Sequence, residues 1–203
     1  RKAEQEFDNT KCFNQYISLY RKLTAVGGGK TIILGVSNIW SKDKGLLDML
    51  YLSKNPNNIV VLVGMNKDQV REYSSDKYKN FNLFPIQRTH NQYELAMLYS
   101  LADVYINPTY ADMFPTVNLE ALACGTPVIT YRTGGSPEAI DEKTGIVVEQ
   151  RDINGLVEAI LKLKASPLSS ADCRKRAEAH FNKDKCFKEY IELYKDILEK
   201  TIQ

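Results

Sequence analysis

Long apolar runs are absent from this 203-residue sequence. No stretch approaches the ~20 residues that a membrane-spanning helix needs, and nothing in the chain reads as a secretory leader. Cysteine is scarce. Cys12, Cys124, Cys173 and Cys186 are scattered without CxxC spacing, which reads as reduced thiols of a cytoplasmic protein rather than a disulfide or zinc framework. The two histidines, His90 and His180, lie too far apart in sequence for metal-ligand spacing. An excess of one charge is missing too: 27 Lys+Arg against 25 Asp+Glu leave +2, too little for a dedicated nucleic-acid binder. No two aspartates stand two apart, so an Asp-x-Asp metal clamp is lacking, and neither GxGxxG nor GxSxG occurs. The Gly27-Gly28-Gly29-Lys30-Thr31 run imitates a phosphate-binding loop but fails it. Position 24 is Thr where that loop needs Gly, and a strand-like run follows where a helix should.

The rest is ordinary in composition, with 43% hydrophobic and 26% charged residues. That excludes disorder, collagen and coiled coil for the whole chain, and a chain of this size buries roughly 70% of its unfolded surface. Hydrophobic period alternates along it. Apolar, β-branched runs at 31–37, 58–64, 82–86, 103–108, 127–131 and 145–149 read as strands. Helical spacing separates them, at 44–54, 67–73, 91–102 and 115–125, from Pro137, and over 152–164. Strands without polar alternation are buried on both faces. The expected fold is therefore α/β, a doubly wound, mostly parallel six-stranded Rossmann-like sheet with helices on both faces. Amphipathic helices flank it: a leading helix over 1–25, the sheet domain over 30–166, and closing helices over 167–203. Residues 1–20 repeat 175–194, with ten identical positions that include a matched Lys-Cys-Phe. The leading segment thus reads as the tail of an earlier copy of such a domain, and the start at Arg1 reads as that of a fragment. The aromatic stripe Phe181, Phe187, Tyr190 and Tyr194 reads most simply as core packing.

The informative stretch is 103–138. Asp112 follows the end of a strand, and Glu120 comes eight residues later inside the next helix. In open α/β sheets, ligands collect beyond the carboxyl ends of the strands. A helix beginning at Pro115, placed at its first position, aims free N–H groups and its positive dipole end into that crevice, which suits a phosphate. By spacing alone, the simpler reading makes Asp112 a capping acid and Glu120 a surface carboxylate.

This stretch resembles the donor-binding half of the retaining family 4 (group 1) glycosyltransferases of GT-B fold. Their signature is a carboxylate, seven intervening residues and then a glutamate, which opens Glu-Ala-x-Ala-Cys-Gly-x-Pro-Val. It is met by Asp112 and by the run from Glu120 to Val128. A Gly-Gly-x-x-Glu turn follows as Gly134 to Glu138. Upstream, Glu94-Leu95, Leu98-Tyr99 and Ala102-Asp103 match a further family motif. Downstream, Gly145 to Val148 and Leu156 to Ile160 match the closing strand and helix.

The resemblance implies roles. Glu120 accepts the ribose hydroxyls of a sugar nucleotide, and Asp112 holds hydroxyls of the transferred sugar. Main-chain N–H groups of Met113, Phe114, Thr116 and Val117 face sugar and diphosphate, with Gly134 and Gly135 beside them. Lys44 neutralises the diphosphate. Arg88, Thr89 and His90 border the base, chiefly through main-chain groups. The family's usual arginine is missing, and Asn38 or Lys42 stands in for it. Asp112 also replaces the usual Glu, and Pro115 the usual Gly, which deletes one N–H donor.

No metal and no cofactor are implied beyond the UDP- or GDP-linked substrate. The resemblance implies a retaining, metal-independent hexosyl transfer to a glycan or lipid-linked acceptor, as in polysaccharide biosynthesis. Attack comes on the same face as the leaving diphosphate, which helps to deprotonate the acceptor. It further implies an N-terminal acceptor-binding domain that this chain lacks, inactivity of the isolated half, and a cytoplasmic location with peripheral membrane contact through the missing half. A nucleotide-sugar epimerase of the same architecture and a non-catalytic α/β interaction module stay open as alternatives.

Overall fold

A computed structural model of the chain describes residues 29–201. The expected leading helix over 1–25, its repeat relation to the tail, Cys12, and the first two residues of the glycine run lie outside the described residues. In chain order the elements are β1 (Thr31–Val36), α1 (Leu46–Leu52), β2 (Asn58–Met65), α2 (Lys67–Tyr73), β3 (Leu83–Gln87), α3 (Gln92–Leu101) and β4 (Val104–Asn107). There follow α4 (Thr116–Ala123), β5 (Val128–Tyr131), β6 (Gly145–Val148), α5 (Ile153–Ala165), α6 (Ser170–His180) and α7 (Lys183–Thr201). Single 3₁₀ turns occupy Asp76–Tyr78 and Ser136–Ala139. Thr31 opens a strand, so the glycine run leads into β1 as its sequence demands.

The six strands form one sheet in the order β3-β2-β1-β4-β5-β6, every pair parallel. The apolar runs explain why both faces are covered. In β2, Val60 and Leu62 point into one core with Trp40, Met49, Leu156 and Ile160. Ile59, Val61 and Val63 point into the other with Tyr99, Tyr105, Leu122 and Ile140. Pro85 is confined to β3, the half-buried edge strand, where a missing ladder donor is tolerated. The strand order reverses between β1 and β4, and there a parallel sheet leaves a crevice at its carboxyl edge.

Two expectations need correction. Pro115 caps α4 from outside the helix, with an extended ψ of 110°, and Thr116 is the first helical residue. Proline's fixed φ of −72° suits either position, so spacing could not decide between them. The closing helices also divide. In α6, Cys173 and Ala177 enter the core. In α7, Phe187, Tyr190 and Tyr194 are 64%, 60% and 63% exposed, so these three are not core packing, whereas Phe181, ahead of the helix, is half-buried beside Phe114. The helical spacing of the three is real; no described layer lies over them.

Candidate functional site

The carboxyl end of β1 runs into a short turn closed by Ser37, whose hydroxyl donates to the Ile39 carbonyl at 2.9 Å. Buried Trp40 pins this turn to β2, its indole N–H donating to the Val63 carbonyl at 2.8 Å. Lys44 comes next, followed by Gly45 at φ 71°, the cap of α1. A Cβ at Gly45 would run into the carbonyl of Pro108, so glycine is what lets the lysine loop approach the end of β4. The two loops are joined: the Tyr110 N–H donates to the Asp43 carbonyl at 2.7 Å, and the Thr109 hydroxyl to the same oxygen at 3.3 Å. Tyr110 is anchored at its other end, where its hydroxyl and that of Tyr131 both donate to Asp48 Oδ2, at 2.7 and 2.9 Å. Burial first, then that carboxylate, pushes the Tyr110 pKa up to about 12.

This bracing brings Lys44 Nζ to 2.9 Å from Asp112 Oδ2, with the two side chains 37% and 25% exposed. Gly134 holds the other flank of Asp112. At φ 47°, with a Cβ position that would meet the Asp112 carbonyl, it admits no larger residue without strain. The Gly135 N–H donates to the Met113 carbonyl at 2.6 Å, so it is occupied in shaping the 112–114 loop.

Helix α4 fixes the third side. Asn118 is fully buried, accepts from Asn107 Nδ2 at 2.9 Å and donates to the Ser136 carbonyl at 3.5 Å, tying helix, β4 and the glycine turn together. Its N–H closes the first turn on the Pro115 carbonyl. The Thr116 and Val117 N–H groups are thereby the outward donors of the helix start. Glu120 opens onto the cavity, but partial burial raises its carboxyl pKa, and the Tyr99 hydroxyl, donating at 3.1 Å, draws it back.

Two adjoining cavities follow from these placements, both at the carboxyl edge of the sheet and both touching Asn38, Thr116 and Val117. The first, about 340 Å³, lies between the ends of β1 and β4 and is bordered by Lys44, Asp112 and Phe114. The second, about 470 Å³, extends past the ends of β2 and β3 to Gly64, Arg88, Thr89, His90 and Glu120. Each falls within the roughly 300–1,000 Å³ of ligand sites. A third cavity, of about 400 Å³, sits at the amino edge beside Thr31, Val104 and Pro127, away from all these groups.

Most of the residues singled out by sequence therefore converge. Asn38 lines both cavities, whereas Lys42 is exposed and lines neither. Met113 is 89% exposed at the rim, and Gly134 and Gly135 support the loop from behind. The His90 N–H is already taken by Glu94 Oε2 at 2.8 Å, which removes that main-chain group from contact with a base. Sequence reading missed Trp40, Asn118 and Tyr110, and took Tyr99 as a motif position without a place at the site. A lone buried tryptophan and an asparagine inside an apolar helix were the available signals. Among the described residues, no group of three His, Cys, Asp or Glu is placed to hold a metal ion, and no helix is long and apolar enough to cross a membrane.

The family described as "Glycosyl transferases group 1" matches residues 20–180 of the chain. Over 71 residues the chain is 45% identical to the D-inositol 3-phosphate glycosyltransferase of Corynebacterium jeikeium, covering 34% of this chain and 17% of that enzyme. Its fold matches sucrose-phosphate synthase from Thermosynechococcus elongatus with a TM-score of 0.72 at 26% identity, over 89% of this chain and 49% of the synthase. Anabaena HepE, solved in complex with UDP-glucose, matches in fold alone, with a TM-score of 0.70 at 19% identity over 89% of this chain and 52% of its own. The chain thus spans about half the length of these solved relatives.

Proposed function

The chain belongs to the group 1 glycosyl transferases, and we propose that it is the half of such an enzyme that binds a nucleoside-diphosphate sugar, UDP- or GDP-linked. One observation carries the reading: Lys44, Asp112, Glu120 and the outward N–H groups of α4 meet on two continuous cavities at the point where the strand order reverses. Nucleoside and diphosphate need different chemistry, and the two cavities supply it separately. Glu120, at the mouth of the second, accepts the vicinal hydroxyls of a ribose. Lys44 and the Thr116 and Val117 N–H groups, at the first, receive the diphosphate, whose developing charge on departure needs fixed cations and dipoles. Asp112, beside Lys44, accepts from the hydroxyls of the sugar.

Transfer of a hexose by the full protein, without a metal and with retention at the anomeric carbon, extends the same reading, with the acceptor held by a second domain. The site is tested by titrating the chain calorimetrically with UDP- and GDP-sugars. The expected result is binding that Glu120→Gln weakens about 10- to 100-fold, from the ~1.5–3 kcal/mol of a charged hydrogen bond. Absence of binding to every member of the panel refutes the donor site and favours an interaction module. For the full-length protein, a glycoside product with the donor's anomeric configuration, formed in the presence of a chelator, is the expected outcome. An epimerised sugar nucleotide in its place refutes transfer.

A further inference from the structure

The Lys44–Asp112 ion pair unites two groups with opposite tasks. Lys44 and Asp112 are the charged residues bordering the first cavity, and they already satisfy each other at 2.9 Å. Asp112 Oδ2 has Lys44 as its partner, and among the described residues the ammonium's one further contact is at 3.5 Å with the Ala111 carbonyl. A diphosphate entering beside Thr116 and Val117 must therefore draw Lys44 away from a carboxylate.

We propose that Asp112 is a specificity-determining residue. By holding Lys44 as an internal counter-ion, it makes the site prefer an intact sugar nucleotide over the nucleoside diphosphate left after transfer. The proposal rests on the donor-site reading above. An intact donor brings both partners that the pair needs. Its sugar hydroxyls donate to Asp112 as the diphosphate takes the ammonium, so both charges stay satisfied. A bare nucleoside diphosphate brings the anion alone and an additional terminal negative charge. It strips Asp112 of its cation, offers no hydroxyl donor in exchange, and places two anions side by side. The competition is local, since the lysine loop is held to the Asp112 loop through Asp43, Thr109 and Tyr110 and cannot swing away with its ligand.

The experiment is a double-mutant cycle read by calorimetry with UDP and UDP-glucose, or with GDP and GDP-mannose if the wild-type chain binds that pair. Asp112→Asn should tighten the free diphosphate about two- to fivefold, the range expected for releasing a partly exposed ion pair, and weaken the sugar nucleotide. In a Lys44→Met background, Asp112→Asn should leave diphosphate affinity within about twofold, the coupling having gone with the ammonium. Equal tightening in both backgrounds overturns the proposal, because it assigns the effect to direct repulsion rather than to the pair. So does weaker diphosphate binding by Asp112→Asn in a variant whose urea melt matches the parent. Wild-type chain that binds neither nucleotide pair overturns the donor-site reading itself, and the proposal with it.

Discussion

Replacing Arg176 with Met isolates the support behind the glycine turn. From α6, the guanidinium donates through Nε to the Ala139 carbonyl at 2.7 Å and through Nη2 to those of Glu138 and Ile140 at 3.0 and 3.3 Å. Its Nη1 meets Asp141 Oδ2 at 2.7 Å, with the arginine side chain 19% exposed and the aspartate 36%. Hydrogen bonds to charged groups are worth ~1.5–3 kcal/mol each, but four on one side chain do not add. Asp141 also keeps the Thr144 hydroxyl at 2.8 Å and the Lys143 N–H at 3.1 Å. Water reaches the vacated groups in part, and methionine preserves the apolar stem, so the net loss should be about 2–4 kcal/mol.

Urea unfolding at neutral pH reads this loss as a fall in midpoint of about 1–2 M, given slopes of ~1–3 kcal/mol/M. A pH series adds a sign. Burial pushes the Asp141 pKa up, but Thr144, Lys143 and Arg176 together outweigh it and hold the carboxyl below its usual value. Its contribution is fully present above the unfolded pKa of about 3.9 and is lost as pH falls through the lower folded value. The gap between wild type and Arg176→Met should therefore narrow below about pH 4. A neutral-pH loss under about 1 kcal/mol, or a gap that widens in acid, would refute the assignment of Arg176 as the clamp of this turn.

Three other outcomes follow from the same geometry. Gly45→Ala places a Cβ at φ 71° against Pro108, so urea unfolding should show a loss of about 2–4 kcal/mol and calorimetry a weaker affinity for the diphosphate proposed to meet Lys44. Tyr110→Phe gives up one hydrogen bond to Asp48, which retains Tyr131, and should cost about 1 kcal/mol by the same assay. Burial raises the Glu120 pKa, so the carboxylate proposed to bind ribose is lost at a higher pH than for an ordinary glutamate near 4.3. The affinity for UDP-glucose, whose diphosphate does not titrate in this range, should fall as pH is lowered toward that value, and Glu120→Gln should flatten the fall.

Local periodicity located every strand to within a residue or two, because a buried parallel strand needs an unbroken apolar run and little else produces one. The Asp112–Glu120 spacing was legible for a similar reason: both residues sit on one strand–loop–helix unit, whose geometry is set over a dozen residues. What escaped were the direct contacts between side chains that the sheet brings together from far along the chain. Lys44 and Asp112 are 68 residues apart, Arg176 and Asp141 are 35, and Trp40 and Val63 are 23. Those encounters depend on strand order, and strand order has no local signature. The exposure of the α7 stripe escaped for the complementary reason: a period of 3.6 shows that a helix has an apolar face, and says nothing of what lies opposite it.

The same long-range contacts explain how a chain half the length of its solved relatives presents an assembled cleft. A binding group holds its geometry only if its own rotamer is fixed by neighbours, and fixing contacts are supplied here among the described residues. Tyr99 and its partner Glu120 lie on neighbouring helices, and Tyr99 itself is buried against Tyr105. Asn118 joins α4 to β4 and to the glycine turn, and that turn is clamped from α6 by Arg176. The Lys44 loop is held by the 108–112 loop on one side and by Gly45 on the other. The side chains proposed to meet ribose and diphosphate are thus held by the sheet and its helices before any ligand arrives. Ile39 and Met113 turn side chains that are 74% and 89% exposed outward at the rim. Substitutions in the floor should therefore change nucleotide affinity in this chain alone, and substitutions in the rim should leave it nearly unaltered. Comparing Ile39→Ser and Met113→Ser with Tyr99→Phe in one titration series separates the two. Equal losses from rim and floor would show that the cleft is not preorganised in this half.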